Sequence, residues 1–410
     1  MLTLGRLLAA ILATLCAGKT SAVTKGDSSP MRKTMELAHE STISSSHSES
    51  SKPRLKVGVR VLTKGEAIFV GSAEFGIELH SPRAREIVNH LNGLQTNSEI
   101  SALLAVDIKQ VEEVISQLDK EHLVDTHSST LEIHSRFHSH SRNGATHQND
   151  LAFDGAYLQI QSKLIPELSF TTWLKDVRDG GVSHIGSRRD IDLQIIGDNR
   201  IASLLFGIML SSGVSHTTLH SSHVRIETQD ICAGYFRASD IGLSLNARAE
   251  ELSRELSLFP LPQKISKNEE ILPTRSLRVV LGKVPADQLQ EWMSQGIPHL
   301  IIEDPDGASI NIGPLVIPGS GPCLRCVRIT REEGDLIWRE IEWQRAFAQS
   351  LETPVAVAHS VAGTVALELL RFIDTGQSTL IGSMAHINYH SPCNTEHRNF
   401  SQHPACGCNW

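Results

Sequence analysis

The chain has 410 residues, 40% hydrophobic and 20% charged, a balance that excludes wholesale disorder and supplies enough apolar chain for two cores. Its net charge of −8, with no clustered Lys/Arg stripe, argues against a general nucleic-acid surface, because such surfaces set basic side chains against phosphate. Seven cysteines, four of them in two close pairs and Cys16, Cys232 and Cys393 standing alone, do not make a disulfide framework.

Residues 1–52 read as a tail. Arg6, the apolar run Leu7–Cys16 and small residues up to Ala22 resemble a weak secretory signal, too short for a spanning helix of about 20 residues. Ser28–Ser51 is rich in Ser, His and Glu and has no apolar period. Residues 53–126 form the first expected domain. Val57–Leu62, Ala67–Gly71 and Phe75–His80 are short β-branched runs split by turn residues, the pattern of a small antiparallel sheet. Three helices should follow. Ser81-Pro82 opens the first and Asn92-Gly93 closes it, Thr96-Asn-Ser-Glu99 reads as a capping box for the second, and Asp107 caps a third with Val111, Ile115 and Leu118 on one face. Three strands and three helices in this order describe a winged helix-turn-helix that should fold and bind as an isolated Ser51–Asp125 piece.

Residues 127–150 change to Ser, His, Asn and Arg, and scattered His134, His138, His140 and His147 without fixed spacing read as a solvated linker rather than a metal tract. From 151 to 410 the strands and helices alternate. Ile191–Gly197 feeds Ile201–Leu210, Thr217–Leu219 follows, and Leu277–Gly282, Asp287–Gln295 and His299–Glu303 repeat strand, helix, strand. A long apolar helix over Val355–Ile373 precedes a last strand near Thr379–Ile387. The expectation is an α/β, doubly wound, mostly parallel sheet covered on both faces.

Gly197-Asp-Asn-Arg-Ile-Ala202 stands where a Gly-x-Gly-x-x-Gly phosphate turn belongs, but only Gly197 is present, and the Asn199 side chain obstructs close approach of backbone N–H groups to phosphate. A degenerate turn follows. Cys323 and Cys326 form one pair, Cys406 and Cys408 another, with 79 residues between them. Two such pairs complete a tetrahedral zinc shell with no position for water, which marks a structural rather than a catalytic site; a redox pair would need only the first. His403 is a substitute ligand should one thiol fail. Cys232 and Cys393 read as ordinary buried or free thiols.

From about Arg54 to Cys408 these residues resemble the ThiF-like partner or leader-binding proteins of azole-forming peptide clusters. Gly313–Gly319, Gly321-Pro-Cys-Leu-Arg-Cys326, Trp338 and His403–Cys408 are similar to that family's most specific signatures. Ala238–Gly242 resembles the segment that precedes an ATP-contacting lysine in adenylating relatives, yet Leu245 stands at that position, Cys232-Ala-Gly-Tyr-Phe occupies the region of an Asn-Arg-Gln triplet, and His220 stands near where an acidic ribose contact is usual. The departures argue against ATP as a cofactor. Arg54–Asp125 resembles the PqqD-like peptide-recognition domain, in which a leader adds a strand. Carried over, the peptide site comprises Phe75, Gly76, Ile77, Glu78, Leu79 and His80 on the edge, with Gln110 and Val114 on the facing helix, and Phe75, Ile77 and Leu79 turned toward the module's own helices. The alternative of a DNA-reading helix is opposed by Glu112, Glu113, Asp119 and Glu121 on that helix.

The resemblance implies a cytoplasmic, non-catalytic partner subunit that holds a precursor peptide's leader for a YcaO-type cyclodehydratase making azolines, in bacteriocin- or thiopeptide-type biosynthesis, with a structural zinc and with the homodimer that such relatives often form through the sheet domain. No membrane or nucleic-acid partner is implied. Two alternatives stay open: an ATP-dependent adenylating enzyme acting on a peptide C-terminus, and a secreted zinc protein.

Overall fold

The computed structural model describes residues 51–127, 162–258, 275–347 and 353–408, apart from 66, 175, 223–224, 233 and 336. The signal-like segment 1–22 and all of the 127–150 linker except His127 lie outside the described residues, so the secreted alternative has no structural footing to discuss.

The N-terminal part is built on a three-stranded antiparallel sheet, β2 (Arg60–Lys64), β3 (Ala67–Gly71) and β4 (Gly76–Leu79), in that spatial order. β1 (Arg54–Leu55) pairs instead with β5 (Val124–Asp125). The strand expected at Val57–Leu62 starts only at Arg60, because Gly58 turns the chain through a left-handed φ of 90°. Helices α1 (Ala84–Asn89), α2 (Asn97–Leu104) and α3 (Ile108–Lys120) follow. Ser81 caps nothing; a left-handed Arg83 precedes α1. The capping box of α2 forms as its sequence reads, Thr96 Oγ1 accepting from the Glu99 N–H and Glu99 from the Thr96 N–H. On α3 the apolar stripe Val111, Val114, Ile115 and Leu118 packs with Ile68, Val70, Leu79, Ile87 and Ile100 into one core.

This core is not closed by its own residues. Lys56 is buried and donates from Nζ to the carbonyls of Thr172, 2.5 Å away, and Val177, 2.8 Å away, while Asp125 at 3.8 Å accepts from Thr172 Oγ1. Burial pushes the Lys56 pKa down and that of Asp125 up, each against the other's attraction. The N–H groups of Thr126 and His127 go to the Arg178 carbonyl, and Arg178 pairs with Asp119. A fragment ending at Asp125 therefore loses both carbonyls that accept from Lys56, the Thr172 donor to Asp125 and the Arg178–Asp119 pair. We expect it to denature at clearly lower urea than the full chain when followed by circular dichroism; equal stability would show the joint to be dispensable.

Beyond the linker come α4 (residues 162–171), α5 (Val182–Arg188), β6 (Ile191–Ile196), α6 (Arg200–Ser211), β7 (His216–His220), α7 (Leu245–Leu256), β8 (Arg275–Leu281), α8 (Ala286–Gln295) and β9 (His299–Ile302). They are followed by β10 (Ser309–Val316), α9 (Leu324–Gly334), α10 (Trp338–Phe347), α11 (Val355–Thr375), β11 (Ser383–Asn388) and β12 (Glu396–Asn399). The seven-stranded sheet runs β12-β11-β10-β9-β8-β6-β7. Only β7, β6, β8 and β9 are parallel; β9 through β12 pair antiparallel, so the expected mostly parallel sheet is mixed. The cause is connection length: β9 meets β10 across a short loop with no crossover helix, which can only reverse the chain.

Both faces are covered. Leu277, Val279 and Leu281 of β8 point into the core shared with α6 and α11, whereas the alternate Val280 meets Trp292 of α8. α11 is long and apolar enough to cross a membrane by length and composition, but Ala358, Val361, Ala362, Val365, Ala366, Leu369 and Ile373 are buried in this core.

Candidate functional site

The two cysteine pairs converge. Cys323 precedes the first residue of α9 and Cys326 lies in its first turn, so a single helix start turns both thiols one way. Cys406 and Cys408 flank Gly407, whose φ of 69° is the left-handed bend that lets two residues two apart face the same point. The four sulfurs lie within 4.8 Å of one another, with Cys323–Cys326 at 3.8 Å and Cys323–Cys406 and Cys326–Cys408 each at 3.4 Å. Four sulfurs about 2.3 Å from one zinc sit about 3.8 Å apart, so the spacing is that of a tetrahedral shell before small relaxation. Cys323, Cys326 and Cys406 are buried and Cys408 half-buried.

The surroundings suit an anionic sulfur at Cys326. The His403 N–H points at Cys326 Sγ from 3.3 Å. Burial raises the Cys326 pKa, but that N–H and the adjoining thiols outweigh it and bring the group to about 7. Cys406 and Cys408 are pushed up, first by burial and then by the crowded sulfurs. Four ionised thiols this close require a cation between them, and four cysteines so placed could hold a metal such as zinc. His403 does not face the centre: its ring nitrogens meet Glu333 and the Ala405 N–H.

The crevice at the carboxyl ends of the parallel strands is where open α/β sheets bind ligands. Gly197 sits there because a Cβ would come within 2.8 Å of Leu281 Cβ, a packing reason independent of any nucleotide. Its N–H is already bonded to the His220 carbonyl at 2.9 Å. Asn199 caps α6, its side chain accepting from the Ala202 N–H at 3.1 Å. Asp198 accepts from Ser221 Oγ and from the N–H and Oγ of Ser222 at 2.5–2.6 Å, tying this turn to the end of β7. Leu245 is core. Tyr235 lies against α6, where a Cβ on Gly207 would meet its ring at 2.0 Å, and Phe236 is buried, so both aromatics serve packing. Burial also raises the Cys232 pKa, as befits an inert thiol.

On the N-terminal sheet, β4 pairs with β3 and with no other strand among the described residues. The Ser72 N–H bonds the Phe75 carbonyl at 2.8 Å, and from that pair the antiparallel alternation directs the N–H groups of Ile77 and Leu79 to β3 and those of Gly76 and Glu78 outward. Ile77 and Leu79 face the core as their spacing implies. Phe75 does not reach the helices: it is 42% exposed and its ring meets Trp173 edge-on, centroids 5.4 Å apart. Gln110 is half-buried and His80 exposed. Val114 is fully buried within α3's apolar stripe and cannot touch a peptide, which corrects its place in the expected set. Trp173 carries no sequence signal of this role, because nothing in its neighbourhood links it to residue 75.

No family model and no curated protein sequence matches the chain. Solved structures do. E. coli MccB with AMPCPP and MccA has a TM-score of 0.55 at 15% identity, covering 87% of this chain and 99% of that one. The microcin C7 biosynthetic enzyme MccB in complex with N-formylated MccA has a TM-score of 0.54 at 12% identity, with the same coverage. The heterocyclase TruD has a TM-score of 0.52 at 13% identity, covering 87% of this chain and 42% of that one. At such identities the likeness is one of fold: the chain has the ThiF-like fold of MccB.

Proposed function

We propose that this chain is a cytoplasmic, non-catalytic partner that binds the leader of a ribosomal precursor peptide and presents it to a separate YcaO-type cyclodehydratase for azoline formation. The observation that carries this reading is the closed turn after β6. Its first N–H is used by His220, its Asn199 side chain fills the start of α6, and the Asp198 carboxylate is bound across to Ser221 and Ser222. A triphosphate there would meet a carboxylate and lose donors that a phosphate turn supplies. The thiol centre, read as structural zinc, adds no open coordination position, so the chain supplies binding rather than bond-making.

Leader capture is assigned to the winged-helix part, whose edge strand β4 can accept an added strand. MccB was solved with its MccA peptide, which makes peptide handling a reasonable expectation for this fold. In TruD, named a heterocyclase, most of the chain lies outside the match; here we place the corresponding chemistry in a separate protein.

The adenylating reading competes, because the fold is shared with an MccB solved with a nucleotide analogue. Isothermal calorimetry separates the two. ATP with magnesium is expected to give no heat at micromolar affinity and the chain to catalyse no pyrophosphate exchange; either signal would establish the adenylating enzyme instead.

A further inference from the structure

The aromatic pair at the start of β4 is built from both sides of the linker. Trp173 belongs to the stretch after α4, yet it reaches back: its Nε1–H donates to the Val57 carbonyl at 3.1 Å and its ring receives the edge contact with Phe75. It is held from below. The residue before it, Thr172, accepts from buried Lys56, whose ammonium also stands 6.0 Å from the Trp173 ring. Val57 and Phe75 are 52% and 42% exposed, so this rigid aromatic corner opens to solvent at the end of an edge strand.

We propose that Trp173, Phe75 and Val57 form an apolar seat that selects a bulky aliphatic or aromatic side chain of the peptide strand added to β4. The inference rests on the leader-binding reading and makes its specificity depend on a residue outside the winged helix. Register fixes what the seat receives. Phe75 and Ile77 share a face of the strand, and a side chain directly across a ladder lies about 4.5–5.5 Å away, so the peptide residue abreast of Phe75 falls on the Phe75–Trp173 pair. An extended peptide is the occupant because β4 pairs with β3 alone among the described strands, and such an edge, with the Gly76 backbone turned outward, is extended by an added strand rather than by a helix or a globular surface. Two aromatics already locked in place cost little entropy on binding, which suits them as anchors.

The test uses the full chain and a phage-displayed library of random 12-residue peptides, with the enriched consensus synthesised carrying a fluorophore. The wild-type chain is expected to enrich alternating sequences with one bulky apolar position. Trp173→Ala and Phe75→Ala should each weaken the consensus peptide at least tenfold, and alanine at that peptide position should do the same. Phe75→Ala, at the surface, keeps the test valid if Trp173→Ala lowers the melting temperature; Trp173→Leu, retaining apolar bulk, should recover part of the affinity. Should both alanine variants bind like wild type while N-methylation of alternate peptide backbone nitrogens abolishes binding, the seat is wrong and strand addition stands. Should no consensus emerge, or should N-methylation be harmless, the leader-binding reading falls and the seat with it.

Discussion

Replacing Cys408 with serine is expected to cut zinc content from one per chain to a small fraction and to unfold the C-terminal edge of the sheet. The site joins the start of α9 to the last described residues of the chain, and β12 lies between α11 and Cys406 with all four residues exposed. That edge has little apolar burial of its own, so a metal held by the four thiols would supply what packing does not. Apparent binding energies at four-ligand structural zinc sites are about 10–16 kcal/mol, and because a preformed site is absent from the unfolded chain, that energy is folding energy. Atomic absorption on purified protein, with melting curves in the presence and absence of a strong chelator, checks the result. Full zinc occupancy in the serine variant, or a chelator-indifferent melt, would remove the metal from this account. Cys393→Ser is the control, since that thiol is exposed and outside the cluster.

Arg188→Met should be the most damaging single change away from the metal. The guanidinium is 3% exposed and grips Asp374, equally buried, through Nε at 2.9 Å and Nη2 at 2.6 Å. Its third nitrogen reaches Glu167 at 2.9 Å and the Ser212 carbonyl at 2.7 Å, so α4, the end of α5, the end of α6 and the end of α11 meet on one side chain. Burial lowers the Arg188 pKa, but the two carboxylates outweigh it and raise the group, which keeps the guanidinium charged. Methionine fills the space and leaves the Asp374 carboxylate buried without its cation, a loss of about 3–5 kcal/mol. Urea denaturation of the variant should show it, and Arg188→Met/Asp374→Leu should recover much of the loss. A double variant no more stable than the single one would place the cost in packing rather than in the stranded charge.

Much of this protein was legible in its sequence where a local rule governs. The capping box at Thr96–Glu99 depends on residues three apart, and the apolar period of α3 on residues three and four apart, so both were readable in place. The convergence of the thiols was readable from pairing alone, because Cys-x-x-Cys at a helix start and Cys-Gly-Cys at a left-handed turn each leave few directions for sulfur. The broken glycine turn after β6 could likewise be seen without a fold.

What stayed hidden are the interactions that no sequence distance constrains. Val114 was assigned to a peptide surface although its stripe is wide enough to bury it, and only packing against β3, β4, α1 and α2 decides which side of a helix is inside. β10 reverses on β9, and β12 on β11, across loops too short for a crossover, whereas the antiparallel pairing of β11 with β10 follows three intervening helices and was not set by loop length. Lys56 with Thr172, Phe75 with Trp173 and Arg188 with Asp374 join residues 98 to 186 positions apart, and each pair meets only once the chain is folded. The sequence by itself determined most of the elements, the Thr96 capping box and the pairing of the four thiols; the tertiary structure decided which charges are buried, which aromatics meet and which edge is left open, because burial is a property of the assembled layers and not of any one of them.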